Sequence, residues 1–205
     1  MDIKSINKRF RCEILSWQRV LKLSKKLYLI IKKTGFRPDI VIAIGRGGYV
    51  PARILCDYLL MKDLTSIKVE HWDIAATKTK EAIIKFPLCI DIKDKTVLLV
   101  DDITDTGDTL KASLEYLKTF QPKEIRTAVL VHKICSKVVP DYFSHRIIKW
   151  RWVIFPWHIW EDLTGFIREL KEKGISGVED IKRELKDIYN IDVYTDMIKE
   201  IILEI

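Results

Sequence analysis

The stretch VLLVDDITDTGDTL, Val97 to Leu110, decides the fold. Val97 to Val100 is an uninterrupted apolar run, the pattern of a parallel strand buried on both faces. It ends in two adjacent carboxylates, Asp101 and Asp102. A short polar loop follows, Asp105-Thr106-Gly107-Asp108-Thr109, before helical spacing begins at Leu110. In an open α/β sheet the ligand crevice lies at the carboxyl ends of the strands, so this segment aims acids, hydroxyls and backbone N–H groups at one small volume. A Thr-Gly-x-Thr turn opening a helix is an anion cradle, because orphan amides and the helix dipole both favour a phosphate there. Acids beside a phosphate cradle conflict unless the ligand also carries hydroxyls or a metal ion. A phosphorylated sugar resolves the conflict. A Walker B strand also ends in acids, but no G-x-x-x-x-G-K-[ST] precedes this one. A phosphoaspartate enzyme or receiver domain leaves the Thr-Gly-x-Thr unexplained. Simple helix capping needs one such residue, and this loop supplies five.

On the amino-terminal side, Ile14, Trp17, Leu21, Leu27 and Ile31 fall at helical spacing. They predict a helix from about Cys12 to Lys33, stopped by Gly35 and Pro38. Asp39 to Ile44 reads as a buried strand that runs directly into Gly45-Arg46-Gly47-Gly48, with Pro51 opening a helix from Ala52 to about Met61. A strand is expected at Ile67 to Glu70. His71 to Lys85 shows no period of its own and reads as a long loop, of a length that often serves as a lid. Beyond the helix of Leu110, Leu114, Leu117 and Phe120, a strand is expected from Ile125 to His132. Short strands near Ile147 and Trp152 complete the sheet. In the tail, Leu163, Phe166, Ile167 and Leu170 predict one amphipathic helix. Ser176-Gly177-Val178-Glu179 is a capping box for a second, and Met197, Ile201 and Ile205 mark a third. The fold class is therefore α/β, a mostly parallel sheet flanked by helices on both faces. A helical extension from about Glu161 packs on the core or against a second subunit.

The chain has 205 residues, enough for one α/β domain and an addition. Hydrophobic residues make up 48% and charged residues 32%, a globular rather than a disordered balance. The net charge of +7 suits a polyanionic small molecule, nucleic acid or a membrane surface alike. The lysines are spread throughout, with no basic arm and no RNA-binding aromatic motif, so nucleic acid is not the expected partner. Cys12, Cys56, Cys89 and Cys135 are far apart with no C-x-x-C; three sit in apolar company, where buried thiols are the default. The start, MDIKSINKRFRCE, lacks the apolar core of a signal peptide, and no apolar run reaches membrane-spanning length. A cytoplasmic location is expected.

The Val97–Leu110 segment closely resembles the phosphoribosyl-pyrophosphate motif of type I phosphoribosyltransferases, in which hydrophobics lead into Asp-Asp, two further residues, then Asp-Thr-Gly-x-Thr. Gly45-Arg46-Gly47-Gly48 resembles the pyrophosphate loop of the same family, and the likeness runs from about Asp39 to Trp160. It implies a core with a small hood over residues 1–160 and a helical extension over 161–205. The implied reaction transfers ribose 5-phosphate from phosphoribosyl pyrophosphate to a nitrogen of a base and releases pyrophosphate. By the same resemblance, Asp101 and Asp102 accept the ribose 2- and 3-hydroxyls, and Asp102 also lies near Mg²⁺, the implied cofactor. Asp105, Thr106, Gly107, Asp108 and Thr109 hold the 5-phosphate. Asp105 is either the general base near N7 of the base or a helix cap. Arg46, Gly47 and Gly48 take the pyrophosphate.

For the base, Lys133 matches a lysine that donates to O6 of 6-oxopurines, Trp152 the aromatic that stacks on the ring, and Val153 the residue whose backbone reads its edge. The block WRWVIFPW resembles that of bacterial and archaeal xanthine–guanine and hypoxanthine–guanine enzymes. Ile154 departs from the Glu that xanthine–guanine enzymes can carry. His158 stands where relatives often have an acid, for which Glu161 or Asp162 is the candidate substitute. The segment 71–85 occupies the place of the family's mobile catalytic loop, with Thr77, Lys78, Thr79 and Lys80 as pyrophosphate candidates and Trp72 in place of its aromatic. Trp150, Trp157 and Trp160 read as core filling. The implied protein is an Mg²⁺-dependent, homodimeric purine phosphoribosyltransferase favouring a 6-oxopurine such as hypoxanthine or guanine. The alternatives are adenine specificity on this scaffold and a nucleotide-sensing, RNA-binding regulator on the same fold.

Overall fold

A computed structural model of the chain describes residues 11–73 and 80–205. The described chain falls into two units, residues 20–150 and residues 11–19 with 151–205. The boundary expected at residue 161 lies inside a helix of the second unit.

The larger unit is built on a six-stranded sheet. In chain order its elements are helix α1 (Trp17–Lys33, which begins in the smaller unit), β2 (Ile40–Gly45), α2 (Tyr49–Leu59), β3 (Leu64–Asp73), β4 (Lys80–Phe86), β5 (Thr96–Thr104), α3 (Asp108–Lys118), β6 (Glu124–Lys133) and β7 (Tyr142–Ile147). The strands lie in the order β4-β3-β2-β5-β6-β7. All neighbours are parallel except the β3–β4 edge pair. The central strands carry near-continuous apolar runs because both faces are covered; every residue of β2, IVIAIG, is buried. Ile40, Ile42, Ile44, Val97 and Leu99 gather on one face with Leu110 and Leu117 of α3. The alternating residues Val41, Ala43, Leu98 and Val100 are equally buried and point to the other face. From β2 the chain crosses through α2 to β3 on one side; from β5 it crosses through α3 to β6 on the other. Crossovers of one hand running in opposite directions place α2 and α3 on opposite faces. They also make the β2/β5 boundary a topological switch point, with a crevice at the carboxyl ends of those two strands.

Several expectations change. The helix expected from Cys12 is a strand, β1 (Cys12–Ile14), followed by α1 only from Trp17. The strand near Trp152, β8 (Trp152–Ile154), does not complete the main sheet. It pairs with β1 in a separate two-stranded parallel ladder, Glu13 opposite Val153. Two arms of an antiparallel pair, β3 and β4, occupy most of the segment 71–85 that reads as a loop, with Glu70 bridging Lys68 at 2.7 Å and Lys85 at 2.8 Å. Thr77, Lys78 and Thr79 lie outside the described residues, and Lys80 is the first residue of β4. Cys12 and Cys56 are buried, whereas Cys89 and Cys135 are exposed.

The smaller unit packs β1 and β8 with three helices, α4 (Ile159–Glu172), α5 (Val178–Tyr189) and α6 (Thr195–Glu204). Their apolar stripes meet in a core of Cys12, Ile154, Leu163, Ile167, Leu185 and Ile198 among others. Burial, and secondarily Asp162, pushes the Cys12 thiol up to about 12, so it behaves as a small hydrophobe. The expected Ser176 capping box does not form: Gly177 is the N-cap of α5, and no side chain caps it. No described helix is long and apolar enough to cross a membrane.

Candidate active site

Two turns meet at the switch point. β2 runs into Gly45-Arg46-Gly47-Gly48, where the Gly45–Arg46 peptide is cis, and α2 starts immediately after. β5 extends further than its apolar run suggests, through Asp101 and Asp102 to Thr104, so the acids lie within the strand. Both are buried. The Asp102 backbone N–H donates to Asp101 Oδ1 at 2.9 Å. The Asp102 carboxylate lies against the Cα of Gly47. A methyl group there would sit 2.5 Å from Asp102 Oδ2 and 2.7 Å from Oδ1. Only glycine at residue 47 leaves the acid of the neighbouring strand in this position, which joins the two motifs in one place. Burial, then the charge of Asp102, holds the Asp101 carboxyl well above its ordinary range.

After β5 the chain makes the second turn. Gly107 is the N-cap of α3 in a left-handed conformation, φ 90°, and offers no side chain to the helix start. The positive end of the α3 dipole lies at this turn. The turn is braced from behind by residues 136–138: the Lys137 N–H donates to Thr106 O at 2.9 Å, and a Cβ on Gly107 would meet Ser136 Oγ at 2.6 Å. The Thr106 hydroxyl accepts from the Asp108 N–H at 3.3 Å. Asp108 and Thr109 form the first turn of α3, and the Lys137 ammonium stands 3.9 Å from Asp108.

Asp105, just past β5, is held from two sides. One carboxylate oxygen pairs with Lys133, whose side chain is almost wholly buried at the end of β6. The other, Oδ1, accepts from the Trp150 indole N–H at 3.1 Å. The Lys133 ammonium also stands 4.6 Å from the centre of the Trp150 ring, so a buried cation that is costly to desolvate is matched by an anion and an aromatic face. Cys135 Sγ lies 3.6 Å from the Asp105 carbonyl oxygen. Trp150 is thus not core filling; the residue is 42% exposed and its polar edge is committed to a carboxylate. Neither Trp150 nor the 136–138 brace carries a sequence signal, because both contacts join residues brought together only by the β5–β6–β7 order.

The remaining base candidates belong to the smaller unit. Trp152 is part-exposed at the start of β8 and donates its indole N–H to Asp162 at 3.1 Å; Val153 is buried in the same strand. Burial raises the Asp162 carboxyl, against the lowering effect of the Trp152 bond. His158 is the N-cap of α4, its Nδ1 3.9 Å from Glu161. Among the described residues no three His, Cys, Asp or Glu side chains form a metal cluster.

Residues 12–161 match the phosphoribosyl transferase domain family. A xanthine-guanine phosphoribosyltransferase of Desulfotalea psychrophila is 31% identical over 144 residues, covering 70% of this chain and 84% of that one. The hypoxanthine-guanine phosphoribosyltransferase of Saccharomyces cerevisiae is 26% identical, with 68% and 82% coverage. Among solved structures, the purine phosphoribosyltransferase of Pyrococcus horikoshii Ot3 superposes with a TM-score of 0.64 at 34% identity, covering 72% of this chain and 94% of that chain.

Proposed function

Since the chain belongs to the phosphoribosyl transferase family, we propose that it joins ribose 5-phosphate from phosphoribosyl pyrophosphate to a purine, with 6-oxopurines such as hypoxanthine and guanine preferred. The observation that carries this reading is the closeness of the Asp102 carboxylate to Gly47. A ligand spanning both turns must offer hydroxyls to acids and phosphate oxygens to a glycine turn, which is the chemistry of a pyrophosphorylated sugar.

In this reading Asp101 and Asp102 take the ribose hydroxyls and fix the anomeric carbon. Arg46, with the backbone of Gly47 and Gly48, takes the pyrophosphate, and Thr106 to Thr109 take the 5-phosphate through amides and hydroxyls. The bond from the anomeric carbon to pyrophosphate breaks as the bond to purine N9 forms, through a transition state with oxocarbenium character. Asp105 accepts the proton leaving N7. Lys133 donates to O6, and in doing so exchanges its bond to Asp105 for one to the base. By the family resemblance, Trp152 supplies the stacking face and Val153 the edge-reading backbone.

The acid pair fits Mg²⁺. It is an all-oxygen donor set, and a divalent cation offsets both the burial and, secondarily, the Asp102 repulsion that hold the Asp101 carboxyl up. Asp102 would hold the ion together with substrate oxygens and water, and the ion would supply charge neutralisation of the leaving pyrophosphate.

Incubation with phosphoribosyl pyrophosphate, Mg²⁺ and, separately, hypoxanthine, guanine, xanthine and adenine tests the proposal. Nucleotide formation from the oxopurines alone is expected. Product from adenine alone would overturn the role of Lys133. No product from any base, with salt-sensitive RNA binding, would replace the enzyme by a regulator.

A further inference from the structure

Asp105, Lys133 and Trp150 form a closed triangle in which each group touches the other two. We propose that Trp150 is the positioning residue of Asp105, fixing the plane of its carboxylate while Lys133 leaves it for the substrate. The inference rests on the reading that Asp105 takes the proton of the base.

A carboxylate at the end of a short side chain rotates readily about its last bond. Among the described residues Lys133 holds one oxygen of Asp105, and the other takes the Trp150 indole N–H at 3.1 Å with only a weak thiol donor, Cys135 Sγ, at 3.8 Å beside it. When that ammonium turns to the base carbonyl, nothing on Lys133's side fixes the carboxylate at the moment it must accept a proton. Trp150 fixes it from the other oxygen. Its indole nitrogen is a donor only, so it neither takes the proton nor competes with the base as an acceptor. Its ring face lies within cation–π reach of the same ammonium, which keeps the lysine beside the site after its bond to the acid is released. Trp150 sits in the connection between β7 and β8, where an exposed apolar ring has little packing to gain. The indole N–H and the ring face together account for a tryptophan there, since no other neutral side chain joins a donor that cannot also accept to an aromatic face.

The variant Trp150→Phe keeps the ring and removes the donor. Loss of a hydrogen bond to an ionised group predicts a kcat lowered by roughly ten-fold or more, with the KM for phosphoribosyl pyrophosphate unchanged. If Trp150 acts through Asp105, W150F adds no further loss in an Asp105→Asn background. A purely structural role predicts losses that multiply. A second readout does not require turnover. In ¹⁵N-labelled protein the Trp150 indole peak, identified by its absence from W150F, is expected to move in D105N while the peaks of the other tryptophans, of the six in the chain, stay in place. Multiplying losses, an unchanged kcat in W150F, or an unmoved Trp150 peak would each overturn the proposal. A wild-type chain that forms no nucleotide would overturn the enzymatic reading by itself, and the indole peak would still decide whether Trp150 holds Asp105.

Discussion

Gly47 and Gly48 are neighbours in one turn, yet the same substitution at each should produce opposite failures. Neither has a positive φ, so alanine meets no backbone strain at either position. What differs is what the added methyl group meets. At Gly48 it would lie 2.4 Å from Val100 O, 2.7 Å from Ile44 O and 2.9 Å from Ile44 N, all backbone of the two central strands. Reaching the 3.4 Å at which ordinary contact begins would require a shift of about 1 Å in the middle of the sheet. At Gly47 the obstacle is the Asp102 carboxylate, a side-chain terminus that swings aside by about 0.9 Å without moving the backbone. Gly48→Ala should therefore cost about 3 kcal/mol of stability, lowering Tm by roughly 6–12 °C for a chain of this size. Gly47→Ala should stay within about 1 kcal/mol of wild type yet lose roughly 100-fold in kcat/KM, because a displacement of that size removes Asp102 from its ligand. Thermal melting and nucleotide formation, measured on both variants, separate the two effects. A Gly47→Ala protein that melts as early as Gly48→Ala, or one with wild-type turnover, would refute the steric reasoning.

The buried acid pair should be a liability for folding. A carboxyl whose folded pKa is raised keeps a proton that the unfolded chain releases, so this contribution to stability falls as pH rises above 3.8, the ordinary aspartate value. Asp101→Asn keeps an oxygen for the Asp102 N–H and should raise stability by about 1 kcal/mol, about 2–4 °C in Tm, more at pH 8 than at pH 5 in metal-free buffer, while weakening phosphoribosyl pyrophosphate binding; a lower Tm at pH 8 would contradict this. His132, buried with its Nδ1 2.8 Å from the Thr104 hydroxyl, has its pKa lowered by burial and then by Arg146. It should resist protonation, so stability should fall as pH drops from 6.5 through the lowered value; denaturant titrations of wild type and His132→Asn between pH 7 and 5 should show the shallower slope in the variant. Lys133→Met should weaken turnover of 6-oxopurines far more than that of adenine, by roughly ten-fold or more, and an equal loss for both bases in competition assays would reject the carbonyl-reading role.

What the sequence makes legible is local chemistry, and what it hides is non-local pairing. The apolar runs at Val97 and Ile40 identify strands because parallel strands buried on both faces leave no other pattern. The two glycine-bearing turns, Gly45–Gly48 and Asp105–Thr109, stand out because their residue types suit close backbone approach and an anion. The strand at Cys12 is invisible: three residues with apolar positions at either end fit a helix equally well, and the partner that settles the matter lies at Trp152. The β3–β4 arms read as loop because an edge pair rich in Lys and Glu lacks the alternation that one-sided burial creates. Trp150 was hidden for another reason. In a block of aromatics, only the position of Asp105 in the folded sheet shows which indole has a carboxylate to hold.

The β1–β8 ladder has a consequence for synthesis. Its ion pair, Arg151 with Glu13 at 3.1 Å, joins residues 138 positions apart. A ribosome delivers Cys12–Ile14 first and their partners Trp152–Ile154 only after all six strands of the main sheet have emerged. The first strand of the nascent chain must therefore stay unpaired through most of translation, a long-range closure of the kind that slows folding. The ladder that carries Trp152 and Val153 is then among the last pieces to form. Changes near Cys12, remote in sequence from every residue assigned to the base, should act first on how much newly made protein closes this ladder, and only then on the chemistry of the molecules that do.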